Sequence, residues 1–156
     1  MRHAVLLGLC LVIAGCSQAG RAGEGSGAIL YTVESRKPVA TICEDLAKAC
    51  AEEKFGLLAV YDLKEKLREK GIEFSGECVI FEVCNPLKAK QMLEKSPEVS
   101  TALPCRIAVF RTSDGMMRIS TLRPTALMEF YGANDLSGAA AEVEKTLKKI
   151  VDQAAR

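Results

Sequence analysis

Apolar positions fall in blocks of changing period along this 156-residue chain. Met1-Arg2-His3 is a short basic head, Ala4 to Ile13 is an unbroken apolar run, and Ile13-Ala14-Gly15-Cys16 closes it with small residues. Between Ser17 and Gly27 the apolar run gives way to Ser, Gln and Ala with Gly20, Gly23, Gly25 and Gly27. That stretch has too little to bury and predicts a flexible tether with a reach of roughly 18 Å. From Ile29 the periods become those of a folded domain. Ile29 to Val33 predicts a strand. Val39, Ile42, Cys43, Leu46, Ala49 and Cys50 recur at helical spacing and predict an amphipathic helix of about four turns from Pro38. Leu57 to Tyr61 predicts a second strand, followed by a short helix capped by Asp62, with Leu63 and Leu67 inward and Gly71 at its end. Glu77 to Cys84 predicts a third strand.

Asn85-Pro86 supplies an N-cap and a first helical residue for a helix reaching about Lys95, and Ser96-Pro97 starts another turn. Cys105 to Thr112 and Met116 to Leu122 predict two strands around Asp114-Gly115, a two-residue hairpin signal. Pro124 to Tyr131 predicts a short helix or turn. Val143, Leu147, Ile150, Val151 and Ala154 form the apolar stripe of a terminal helix, with Glu144 and Lys148 paired on its exposed side. The hairpin and the shortage of fully apolar strands predict an α+β fold: a two-layer sandwich, its sheet mainly antiparallel, with helices packed on one face.

The opening block is a secretory signal, since its apolar run is too short for a spanning helix of about 20 residues. It resembles the lipobox of bacterial lipoproteins, in which the cysteine is acylated and becomes the new N-terminus. This predicts a signal peptide over residues 1–15, a lipidated Cys16 with a tether through residue 27, and one globular domain over residues 28–156. The membrane, reached through Cys16, is then a partner, and the cell envelope the location. Ser17 rather than Asp after the cysteine resembles the pattern that proteobacteria send to the outer membrane. For a proteobacterial source it predicts the periplasmic face of that membrane.

Composition then narrows the chemistry. Lys and Arg number 21 against 20 Asp and Glu, and cleavage removes only Arg2 from that balance. No basic cluster is available for nucleic acid, which is excluded as a partner. His3 is the one histidine and leaves with the signal, so the mature chain cannot build a Ser-His-Asp triad, a Cys-His nucleophile, or a His-ligated metal or haem. No glycine-rich phosphate loop, C-x-x-C pair or EF-hand loop occurs, and no cofactor is assigned.

The cysteines carry the remaining candidate chemistry. Cys43, Cys50, Cys78, Cys84 and Cys105 lie beyond the anchor, an odd number in an oxidising location. Cys84 ends a strand at a helix start, and Cys105 opens a strand. If those strands are antiparallel neighbours, both thiols sit at one sheet edge. The helix N-terminus beside Cys84 and the guanidinium of Arg106 beside Cys105 would favour thiolate. A redox, metal-binding or ligand-binding role competes there with a structural disulfide or packed thiols. Cys43 and Cys50 are about 10.5 Å apart along one helix, beyond the ~7 Å disulfide limit, and are expected to pack in the core. Glu82 shares strand parity with Cys84, and with Arg111, Arg118 and Arg123 it forms a weaker polar set.

Phe81-Glu82-Val83-Cys84-Asn85-Pro86 and Leu103-Pro104-Cys105-Arg106-Ile107, with Lys54-Phe55-Gly56-Leu57-Leu58 and the long terminal helix, resemble the domain-of-unknown-function 302 family over Ile29 to Ala154. The resemblance implies a compact α+β sandwich, often a homodimer, with no established reaction. Its members look like small binding or redox accessory domains, and its motif cysteines match Cys84 and Cys105. Cys84 and Cys105, with Asn85, Arg106 and Glu82 as neighbours, thus form the candidate thiol or metal site, and no catalytic residue is assigned. The leading expectation is a non-enzymatic binding or accessory module for a metal, cofactor or sulfur species. A thiol-redox enzyme using the same cysteines and a purely structural envelope lipoprotein are the alternatives.

Overall fold

The computed structural model describes residues 29–156. The signal segment, Cys16 and the tether through residue 27 lie outside the described residues. The chain runs β1 (Leu30–Ser35), α1 (Val39–Glu52), β2 (Gly56–Asp62), α2 (Leu63–Arg68), β3 (Cys78–Cys84), α3 (Pro86–Lys95), a 3-10 turn (Pro97–Ala102), β4 (Cys105–Arg111), β5 (Met117–Leu122), α4 (Pro124–Tyr131), a second 3-10 turn (Asn134–Leu136) and α5 (Ser137–Ala155). The five strands form one sheet in the order β1-β5-β4-β3-β2, and every neighbouring pair is antiparallel. The α+β class read from the pattern is therefore the fold.

Strand alternation decides which face is covered. Phe81 faces Ile107 and Val109 faces Ile119, so these side chains share one face of the sheet. α1 brings Ile42, Leu46 and Cys50 to that face, and α5 brings Leu147, Ile150 and Val151; all are buried. Each such large aliphatic side chain contributes about 2 kcal/mol by leaving water. Three bonds tie β1 and the segment after it to the far end of α5: Tyr31 donates to Asp152 Oδ1 at 2.7 Å, Ser35 to the Ala155 carbonyl at 2.9 Å, and Lys37 to the Ala154 carbonyl at 2.9 Å.

A second, smaller core forms where α3 and α4 meet the start of α5. It holds Met92, Val99, Met128, Leu136 and Ala140. The sequence pattern does not announce it, because its members come one or two at a time from short elements.

Three local expectations need correction. The β4–β5 turn holds three residues rather than two. Thr112 N–H bonds the Met116 carbonyl at 2.9 Å, Gly115 N–H bonds the Thr112 carbonyl at 2.9 Å, and Gly115 has φ +83°. Ser113 and Asp114 make the turn and Gly115 takes the left-handed position that follows it. Glu144 lies not on the exposed side of α5 but buried, at 6% exposure. In α2, which packs against β2 and β3, Leu63 and Leu67 are only half-buried.

Candidate functional site

The β3–β4 pairing places the two motif cysteines together at one end of the sheet. Val83 is opposite Cys105, so Cys105 lies on the covered face and Cys84 follows one residue beyond. Asn85 stops the strand and starts α3: its Oδ1 accepts from Lys88 N–H at 3.1 Å, and its Nδ2 donates to the Lys54 carbonyl at 3.4 Å. The chain enters β4 through Leu103-Pro104, a cis peptide. These turns leave Cys84, Asn85 and Cys105 on the wall of a half-open cavity of about 140 Å³.

The rest of the wall is mostly apolar. α3 supplies Lys88, Ala89 and Met92; the segment before β4 supplies Val99, Ala102 and Leu103. α4 closes the far side with Leu127, Met128 and Tyr131, and Val143 of α5 forms part of the floor. Among the described residues, no aspartate or glutamate lines the space. Tyr131 is positioned by a 2.7 Å hydrogen bond between its hydroxyl and Thr101 Oγ1.

Glu144 fixes the α4 wall. Arg123 Nε donates to its Oε1 at 2.9 Å, Lys148 Nζ stands 3.2 Å from the same oxygen, and Thr125 gives Oε2 both its backbone N–H at 3.2 Å and its hydroxyl. Arg123 precedes α4 without capping it through its own side chain, so a carboxylate from another helix caps α4 instead. Burial alone would raise the Glu144 pKa, but the hydrogen bonds from Thr125, Arg123 and Lys148 outweigh it and hold the carboxyl down to about 2.

The expected activation of the thiols is overturned. Burial pushes the Cys105 thiol up to about 11, and the neighbouring Cys84 adds to it; burial also raises Cys84. The helix start beside Cys84 does not offset burial. The Arg106 guanidinium is turned to the other face of the sheet, where its Nε donates to Glu82 Oε1 at 3.2 Å. Glu82 is bound there by Arg106 and, at 3.4 Å, by the Tyr61 hydroxyl. It does not line the cavity, although Arg106 borders it. Both motif cysteines are thus neutral thiols near pH 7.

The other candidates are dispersed. All five described cysteines are free thiols. Cys50 is buried in the main core and Cys43 packs against it, as the helix pattern implied. Cys78 opens β3 opposite Phe110, at the far end from Cys84. Arg111 pairs with Glu77, Arg118 with Glu34 and Asp114, and Arg123 with Glu144, so the polar set around Glu82 is not one cluster. Among the described residues, no group of three or more His, Cys, Asp or Glu side chains is arranged to hold a metal ion. No helix there is long and apolar enough to cross a membrane. Sequence reasoning missed Met92, Met128, Leu103 and Tyr131 as cavity residues. Their signal was only the general apolar spacing of short helices.

A five-stranded antiparallel sheet with such an end cavity defines a small α+β domain, and the chain belongs to the family described as domain of unknown function DUF302, which matches residues 31–154. It is similar to a crystal structure of an uncharacterized conserved DUF302 protein from Bacillus stearothermophilus, at 34% identity and a TM-score of 0.76, covering 82% of this chain and 98% of that one. Among curated proteins the chain matches none.

Proposed function

We propose that this domain is a non-enzymatic binding module for a small, largely apolar or thiophilic ligand, held in the cell envelope by a lipidated Cys16. The observation that supports it is the half-open cavity on which Cys84 and Cys105 converge as protonated thiols. Its size approaches that of cavities admitting a benzene-sized guest. Raised thiol pKa values weigh against a thiolate nucleophile, and with it the thiol-redox enzyme. Among the described residues, no carboxylate lines the cavity to serve as a base.

The binding part is tested with reduced full-length protein and toluene, read by saturation-transfer NMR. Saturation should pass to toluene and should be lost in Ala89→Leu, which fills the cavity from α3. Absence of transfer, or transfer undiminished in that variant, overturns the reading. Mass spectrometry of protein isolated from its native envelope should find an acylated N-terminal Cys16. A mature form that retains Met1 overturns the anchor.

A further inference from the structure

Exposed apolar side chains gather at the end of the sheet where the chain enters β1. The Ile29 carbonyl accepts from Arg123 N–H at 2.9 Å, and Leu30 pairs with the cavity residue Leu122, so this is also the end that holds the cavity. Ile29, Leu30 and Leu122 are all exposed there. On the other side of the same end, Gly56 pairs with Cys84, and Leu57 and Leu58 follow it where the β2–β3 register is irregular. Leu58 is 61% exposed, and Leu87, in the first turn of α3 just past Cys84, is 73% exposed. None of these six residues belongs to either core. They fringe the sheet end from edge strand to edge strand, four spacings of about 4.8 Å or about 19 Å in all. Single exposed leucines are ordinary on a protein surface, but a band of them along one end marks a contact surface.

We propose that this end of the domain docks on a lipid bilayer, the apolar fringe entering the interface while the rest of the domain stands in water. The proposal rests on the envelope reading above for its anchor and adds to it an orientation. The occupant follows from where the chain leads. Residues 17–27, whose composition predicts a tether of roughly 18 Å reach, join Cys16 to this end of the sheet. An acylated Cys16 therefore holds the fringe close to the bilayer. At that effective concentration, contacts too weak to recruit a free protein are enough to orient a tethered one. Leucines on such a surface enter the headgroup and acyl boundary to a depth of about 5–10 Å. Lys54, exposed in the turn before β2, can lay its apolar stem beside Leu57 and Leu58 and keep its ammonium among the headgroups.

The test uses the isotope-labelled mature chain isolated from its native envelope. It is placed in nanodiscs of phosphatidylethanolamine and phosphatidylglycerol that carry a headgroup nitroxide lipid, and read by amide NMR. Amides of Ile29, Leu30, Leu57, Leu58 and Leu87 should lose about fivefold more intensity than those of Ser113 and Asp114, in the β4–β5 turn at the opposite end. Leu58→Glu with Leu87→Glu, both at exposed positions, should bring that ratio close to one with the melting temperature held. Equal broadening at both ends, or a ratio unaltered in the double variant, would overturn the docking. So would broadening centred on Ile72 and Phe74, which are exposed between α2 and β3. A concentration-dependent dimer that shields the fringe amides from the nitroxide would give this end to a second copy and overturn it as well.

Mass spectrometry of the same samples separates the two readings. An acylated Cys16 without preference for either end overturns the docking alone. An unacylated chain that still docks by this end overturns the anchor alone, and an unacylated chain that leaves the nanodisc overturns both.

Discussion

Glu144 shows what a single carboxylate does when it is buried among donors. Its ordinary pKa is 4.5 and its folded value about 2, because hydrogen bonds from Thr125, Arg123 and Lys148 outweigh burial. A lowered folded pKa means that, below 4.5, the unfolded chain takes up a proton that the folded chain refuses. The stability this group contributes is therefore fully present above about pH 4.5 and drains away as the pH falls through 2. Glu144→Gln should cost about 3 kcal/mol near pH 7, since it leaves Arg123 short of its charge partner. Urea melts at several pH values check this: the gap between wild type and variant should narrow as the pH drops below 4.5, and a gap independent of pH would contradict it. From the sequence, Glu144 and Lys148 form an ordinary surface pair four residues apart. Nothing local to α5 reveals that Arg123 and Thr125 arrive from another helix.

The same division between local and distant information holds for whole elements. Helices and strands were legible where one short window determines them. Asn85-Pro86 supplies a cap and a compatible first residue, and the cap is made, with Lys88 N–H bound to Asn85. The α5 stripe from Val143 to Ala154 is buried as the period requires. The β4–β5 turn was one residue longer than its Asp-Gly signal suggested. Asp114 there accepts from Met116 N–H at 3.0 Å and from the Thr112 hydroxyl, which stabilises a three-residue loop over the two-residue form. At the candidate site, the sequence placed Cys84 and Cys105 at one sheet edge, and the antiparallel β3–β4 pairing does so. Their protonation was misjudged because Arg106, adjacent in sequence, alternates to the opposite face and meets Glu82. The methionines on α3 and α4 were not legible as lining the same cavity as these thiols. Only the docking of two separate helices around the sheet end brings them there.

At the scale of the whole molecule, four strands follow one another through the sheet as β2, β3, β4 and β5, while β1 crosses to the far side and pairs with β5. Pairing β3 with β4 closes a loop of modest length; pairing Leu30 with Leu122 closes most of the domain. The longer closure is the more expensive in chain entropy, though only by about 0.6 kcal/mol for each doubling of length. Pulse-labelled hydrogen exchange during refolding should therefore find the β3–β4 amides protected before those of Tyr31, Thr32 and Val33. Protection of β1 first would contradict this order. The bonds from Tyr31, Ser35 and Lys37 to the last turn of α5 carry a consequence for assembly. The first strand of the domain docks onto the far end of its last helix. The meander can organise during synthesis, but the latch between β1 and α5 closes only once α5 itself has emerged.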